Sequence, residues 1–139
     1  ARTVLVYRDE GACEEDCAES IGELAKKIGL PVRYVKANDI TPRLLSQASL
    51  WVQPGGYAID AAQHMTAQQL ETLRTYVRQG GSYLGFCAGA FLADHYVDDH
   101  NKIPGLGFLP GVSLDFLPGD ENETVLEVLW GGLKRYLYF

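Results

Sequence analysis

Apolar and polar positions alternate between two periodicities along the first two-thirds of the chain. Thr3-Val4-Leu5-Val6-Tyr7 is a short run of β-favouring apolar residues that stops at Arg8-Asp9-Glu10 and Gly11, which predicts a buried strand entering a loop. From Asp16 to Ile28 the residues Cys17, Ile21, Leu24, Ala25 and Ile28 recur at helical spacing, and Gly29 and Pro31 supply the stop. Val32-Arg33-Tyr34-Val35 predicts a second strand. Asn38 to Pro42 has capping character ahead of a short helical stretch, Pro42–Gln47, and Leu50-Trp51-Val52 is a third strand that ends at Pro54-Gly55-Gly56. A loop is expected to run on through Asp60. Thr66 then predicts the N-cap of a helix over 67–79, with Leu70, Leu73 and Val77 on one face, Gln69 closing a capping box and Gly80-Gly81 ending it. Ser82-Tyr83-Leu84-Gly85-Phe86 predicts a fourth strand that runs directly into a helical segment, Cys87 to Ala93.

The order β-α-β-α-β-α-β-α implies a mostly parallel sheet with helices on both faces and right-handed crossovers, an α/β fold. Beyond residue 100 the pattern changes. Gly/Pro-rich turns separate β-like pieces at 112–117, 124–129 and 134–139, giving a β-rich C-terminal part. With 139 residues, no repeat and no linker, the chain reads as one domain spanning 1–139. Its last residues still read as a strand. Domains rarely end inside their own sheet, so the native chain is expected to continue past Phe139 or to pair with a second piece, a homo-oligomer included.

Charge narrows the partners. Eighteen acidic against twelve basic side chains give a formal charge of -6, and the densest cationic run is Lys26-Lys27. Phosphate neutralisation needs clustered Lys and Arg, so neither nucleic acid nor an anionic membrane surface is expected as a partner; a small-molecule substrate or ligand is. No apolar stretch approaches the roughly 20 residues of a membrane-spanning helix. The chain begins at Ala1, which leaves the compartment open: the cytoplasm is preferred, with export after leader removal as the alternative. Three cysteines, at 13, 17 and 87, are too few for a disulfide scaffold.

In a parallel sheet, ligands bind beyond the carboxyl ends of the strands, where neighbouring connections diverge. That points to three loops: Asp9–Glu15, Pro54–Gln63 and the turn at Cys87. Gly85-Phe86-Cys87-Ala88-Gly89 has the form G-x-nucleophile-x-G at a strand-to-helix junction, where small neighbours permit the strained turn of a nucleophile elbow. A helix start also favours the thiolate. Gly55 and Gly56, just past the third strand, leave backbone N–H groups free to join that of Ala88 in an oxyanion hole. Pro-Gly-Gly also makes an ordinary tight turn unaided. Tyr57, Asp60, Gly89 and Cys13 border these turns and are the candidate substrate-contacting residues.

Val52-Gln53-Pro54-Gly55-Gly56 together with Gly80 to Ala93 resembles the class I glutamine amidotransferase-like superfamily, and within it the biotin–protein ligase N-terminal-like domain, whose members carry a PGG turn followed by G-x-C-A-G-A/G-[YF]. The resemblance extends over about residues 3–139, through Gly11-Ala12-Cys13, Gly105–Pro110 and Trp130-Gly131-Gly132. It implies a flavodoxin-like sheet with Cys87 in the nucleophile position and Gly55, Gly56 and Ala88 in the oxyanion position. Two features depart from the superfamily. Glutaminases carry a His-x-Glu pair well after the cysteine, and no histidine follows His100; the intracellular-protease branch has His directly after Cys, where this chain has Ala88.

A base for Cys87 is therefore the open question. Glu14, in the first loop, is one candidate, although carboxylates at a helix start are usually solvated. His64, expected at the rim of the site, is another, although a surface histidine ahead of a helix is common. His95 sits eight residues past Cys87, about 12 Å away along a continuing helix. The run Asp94 to His100 reads as a solvated helix end rather than a metal cluster, and neither a metal nor a cofactor is expected. Cys13 and Cys17, in C-x3-C spacing, fit a bridge, a redox pair or two unrelated thiols. Three functions follow: a cysteine-dependent amidase or hydrolase acting on a C–N bond through a thioester; an inactive small-molecule-binding or regulatory domain lacking a complete triad; and a thiol redox protein.

Overall fold

The computed structural model describes residues 3–110 and 125–138. Four strands, β1 (Thr3–Tyr7), β2 (Val32–Val35), β3 (Ala48–Gln53) and β4 (Tyr83–Gly85), form a fully parallel sheet in the order β2-β1-β3-β4. Because side chains alternate across a strand, each strand feeds two cores. Val4, Val6 and Val52 pack with Ala18 and Ile21 on one face. Leu5, Tyr7 and Trp51 face the other way, against Ala61, Leu70, Leu73 and Leu92. Helices cover both faces, as expected for a flavodoxin-like sheet.

The helices are α1 (Ser20–Lys27), α2 (Pro42–Leu45), α3 (Ala58–His64), α4 (Ala67–Arg78) and α5 (Ala88–Leu92). Thr66 caps α4 in a reciprocal capping box with Gln69, and Thr41 caps α2. Three features differ from the sequence reading. The segment after Pro54-Gly55-Gly56 is a helix, not a loop through Asp60: α3 has no side-chain cap, so the usual start signal is missing, and it is held by burial of Ala61 and Ala62. The first helix opens with a π-helical turn, Glu14–Glu19, before α1 begins at Ser20. Asp94 to His100 is not a helix end either. There β5 (Tyr96–Asp98) pairs antiparallel with β6 (Ile103–Pro104), and Asp98 takes both the backbone and side-chain N–H groups of Asn101 in the turn between them.

In the C-terminal part, β7 (Val125–Trp130) and β8 (Leu133–Tyr138) form an antiparallel hairpin that closes at Gly131-Gly132, both at positive φ. The β-like piece expected at 112–117 lies outside the described residues. Among the described residues no helix is long and apolar enough to cross a membrane.

The strand order fixes where a site can form. From β1 the chain moves outward to β2 and then returns across β1 to β3, so the connections after β1 and β3 leave in different directions. The crevice between them, at the strand carboxyl ends, is the topological switch point of the sheet.

Candidate active site

Cys87 stands between the end of β4 and the start of α5 with φ 49° and ψ −113°. Such a backbone costs a non-glycine residue on the order of 1–3 kcal/mol and persists only where its surroundings impose it. Here they do. Phe86 N–H donates to Gln53 O at 3.0 Å, Gly89 N–H to Phe86 O at 2.8 Å and Ala90 N–H to Cys87 O at 2.8 Å. The Tyr83 hydroxyl donates to Gly89 O at 2.7 Å. The two flanking glycines make the turn sterically feasible. A Cβ on Gly89 would strike the Gln53 carbonyl, and one on Gly85 would strike the Gly89 carbonyl. The Cys87 side chain is left exposed. Since α5 has only five residues, its end contributes a smaller dipole than the sequence reading assumed.

This strain predicts an unusual order of stabilities. Glycine adopts φ 49° without the Cβ penalty, at the cost of greater freedom in the unfolded chain. Cys87→Gly is expected to melt above Cys87→Ala by the equivalent of about 1 kcal/mol. Equal or reversed melting temperatures would show that the turn is unstrained.

The first loop is knitted to the Pro54-Gly55-Gly56 turn. Cys13 N–H donates to Gly55 O at 2.9 Å and Tyr57 N–H to Gly11 O at 2.8 Å, forming an isolated antiparallel bridge between Ala12 and Gly56. Gly56, at φ 142°, meets the Gly11 carbonyl so closely that no Cβ fits. Gly55 turns its bare side toward two thiols: a Cβ there would lie 3.5 Å from Cys17 Sγ, 3.5 Å from Cys87 Cβ and 3.9 Å from Cys87 Sγ. The N–H groups of Gly55, Gly56 and Ala88 have no protein acceptor among the described residues. The turn thus brings one exposed thiol, a second thiol and Gly55 together, with the Gly55, Gly56 and Ala88 N–H groups nearby and unpaired among the described residues.

All three cysteines are free thiols. Burial pushes the Cys17 thiol up to about 11, helped by its hydrogen bond with Cys13 and by the neighbouring Cys13, Asp16 and Cys87 charges. The other sequence candidates lie as follows. His64 is at the C-terminal end of α3, about 9 Å along the helix from its start beside the glycine turn, and its Nε2 is 3.2 Å from Asp9 Oδ2. Glu14 is exposed and pairs with Arg8 at 3.6 Å, while Arg8 also holds Glu19. Tyr57 is 74% exposed at the mouth of α3, Asp60 is exposed on α3, and Cys13 is half-buried. Ala88 and Gly89 are buried, and Gly89 is packed on Gln53. His95 lies beyond α5 and sits edge-on to Tyr96 at 4.4 Å. Among the described residues, no histidine or carboxylate hydrogen-bonds Cys87 Sγ, and no group of three His, Cys, Asp or Glu side chains is placed to hold a metal ion.

Asp9 opens the first of the three strand-end loops but is not among the residues that the sequence singles out, although its position just past β1 places it at the switch point. Its Oδ2 accepts from Ala37 N–H at 2.9 Å as well as meeting His64. Burial raises its carboxyl, but the N–H groups of Ala37 and Glu10 and the His64 ring outweigh that and hold it below the usual 3.8. A carboxyl lowered by folding contributes stability that is fully present above its unfolded value and is lost as pH falls through its folded one. Acid unfolding should therefore sharpen below about pH 4, and Asp9→Asn should lose stability at pH 7 while flattening that acid limb. Parallel wild-type and variant limbs in pH-dependent melts would contradict this role.

The parallel 2-1-3-4 sheet, with a cysteine at a left-handed strand-to-helix turn over its carboxyl edge, is a class I glutamine amidotransferase-like α/β fold. The chain belongs to the family described as biotin-protein ligase, N terminal, which matches residues 2–125. It is 29% identical over 126 residues to an uncharacterized protein of Chlamydia muridarum, covering 79% of this chain and 47% of that protein. The chain thus spans about half the length of this curated relative. Among solved structures, a putative peptidase E protein from Listeria monocytogenes superposes with a TM-score of 0.64 at 15% identity, covering 78% of this chain and 63% of that one. A glutamine amidotransferase superposes at 0.63 with 21% identity, covering 96% and 68%. A peptidase from an acI-B1 Actinobacterium gives 0.53 at 18% identity, covering 74% and 50%. These likenesses establish the fold.

Proposed function

We propose that the chain captures the carbonyl group of a small amide on Cys87, at a nucleophile elbow. Cys87 Sγ adds to the carbonyl carbon, and the N–H groups of Gly55, Gly56 and Ala88 receive the developing oxyanion. The C–N bond then breaks, the amine leaves with a proton, and the acyl group remains on sulfur as a thioester until water cleaves the C–S bond. The observation that carries this reading is the exposed Cys87 thiol on a backbone at φ 49°, ψ −113°, with the neighbouring Gly55, Gly56 and Ala88 N–H groups unpaired among the described residues.

The leaving amine is the difficult step, because an alkylamine departs only as its proton arrives. His64 is engaged with Asp9 and Glu14 with Arg8, which favours, as a second reading, a domain that binds its ligand without turning it over. A chromogenic γ-glutamyl anilide separates the two, since an anilide leaving group needs less help from an acid. The expected result is a burst of about one equivalent of free aniline per chain, absent in Cys87→Ala, with ammonia release from glutamine near background. Retained ligand binding without a burst would favour the binding domain. Sustained ammonia release that vanishes in Cys87→Ala would instead mean that His64 with Asp9, or a first-loop carboxylate, acts as a base.

A further inference from the structure

The thiol of Cys17 has no part in that chemistry, yet it stands beside the nucleophile. Its position follows from the π-helical turn Glu14–Glu19, in which Ala18 N–H reaches back five residues to Cys13 O at 2.9 Å. Such turns widen the helix and are frequent at functional sites. The result is a chain of thiols with Cys17 in the middle. On one side Cys13 lies close enough to raise its pKa. On the other, its Sγ and that of Cys87 are 3.5 Å and 3.9 Å from a single point, the empty position where Gly55 lacks a Cβ.

Exposure sorts the two sulfurs. Cys87 is open to solvent, whereas Cys17 is half-buried and keeps its proton at neutral pH. A small oxidant therefore meets Cys87 first. Two thiols of unequal exposure set either side of Gly55 suit two-electron sulfur chemistry.

We propose that Cys17 is the resolving thiol of a hydroperoxide-triggered disulfide with Cys87, a reversible lock on the nucleophile. This rests on the reading of Cys87 as a reactive thiol. In the first step the Cys87 thiolate attacks the peroxide; the O–O bond breaks, Cys87 becomes a sulfenic acid, and the alcohol or water leaves. In the second, Cys17 sulfur attacks the sulfenic sulfur, the S–O bond breaks, and the departing oxygen leaves as water with the Cys17 proton. The peroxide has then taken two electrons from the thiol pair. Once Cys87 is oxidised its thiolate charge no longer opposes ionisation of Cys17, so the first step assists the second. A dithiol reductant reverses the lock. The closed form also protects Cys87 from irreversible sulfinic oxidation.

Peptide mass spectrometry of the reduced chain, treated with one equivalent of hydrogen peroxide and quenched with N-ethylmaleimide, tests this. The expected product is a Cys17–Cys87 disulfide with Cys13 alkylated, reversed by dithiothreitol. In Cys17→Ser and Cys17→Ala, Cys87 sulfenic acid should instead accumulate and be trapped by dimedone, at least tenfold above wild type. Gly55→Ala places a methyl in the gap at ordinary contact distances, so it should fold and yet close the disulfide several-fold more slowly. A Cys13–Cys17 disulfide with Cys87 free, unchanged dimedone trapping in both Cys17 variants, unchanged closure in Gly55→Ala, or three thiols left intact would each overturn the proposal. An electrophilic glutamine analogue run in parallel separates the two claims. If it labels Cys87 while no Cys17–Cys87 bond forms, the lock alone fails; if neither occurs, the reading of Cys87 fails with it.

Discussion

Gly89→Val is expected to lose about 3 kcal/mol or more of stability and to leave the chain largely unfolded at 37 °C, whereas Cys87→Ser stays within about 1 kcal/mol of wild type. A side chain at residue 89 would collide with the Gln53 carbonyl, which is backbone in a central strand and is already engaged as acceptor for Phe86 N–H. Neither group can step aside. Gln53 is 2% exposed and takes the Trp51 indole N–H on its side chain, while Gly89 O is held by the Tyr83 hydroxyl. Relief would require prising α5 off the sheet, which would expose Leu92 and the edge of the larger core. Serine in place of Cys87 changes neither the backbone nor the volume appreciably. Thermal melts of the two variants check the contrast. A Gly89→Val melt within a few degrees of wild type would mean that the strand-to-helix junction is loosely packed.

The contrast also shows what the sequence could disclose. Gly85, Cys87 and Gly89 are legible because a close strand-to-helix turn leaves its mark as glycine at fixed offsets from the residue at its apex, a local constraint that needs no tertiary knowledge. The four strands were legible for a similar reason: buried parallel strands are short apolar runs, and Thr66 with Gln69 announces α4 outright. By contrast α3 was hidden, since Tyr57 offers no capping side chain and the helix is secured by alanines against neighbouring elements. Tertiary packing decided that segment, not local propensity. The strand Tyr96–Asp98 is obscured by its surrounding Asp and His residues, which match a solvated helix end, whereas what makes it a strand is its non-local pairing with Ile103–Pro104.

Among the site residues, the meeting of Gly55 with Cys87 was anticipated from the strand-end rule, but the partners of His64 and Glu14 were not. Pairings such as His64 with Asp9, 55 residues apart, depend on the path of loops and on which charges find each other there. Cys17 was similarly ambiguous. A regular α-helix and a π-helical turn have the same sequence signature at C-x3-C spacing, yet only the described backbone shows Cys17 beside Gly55.

The second large effect concerns the three thiols. With its thiol pushed up to about 11, Cys17 carries far less thiolate at pH 7 than an ordinary cysteine. Cys13 is half-buried near Cys17, whereas Cys87 is exposed at the turn after β4. Alkylation should therefore fall on Cys87 at least about a hundredfold faster than on Cys17. An analogue that also carries a carbonyl gains the Gly55, Gly56 and Ala88 N–H groups, which widens the margin.

The most direct measurement is peptide-resolved mass spectrometry of the reduced chain after brief exposure, at pH 7, to a chloroketone analogue of glutamine. The expected result is a single adduct on Cys87, none in Cys87→Ser, and Cys13 and Cys17 recovered unmodified in both. An adduct that forms on Cys13 or Cys17 as fast as on Cys87, or that leaves Cys87 untouched, would contradict it.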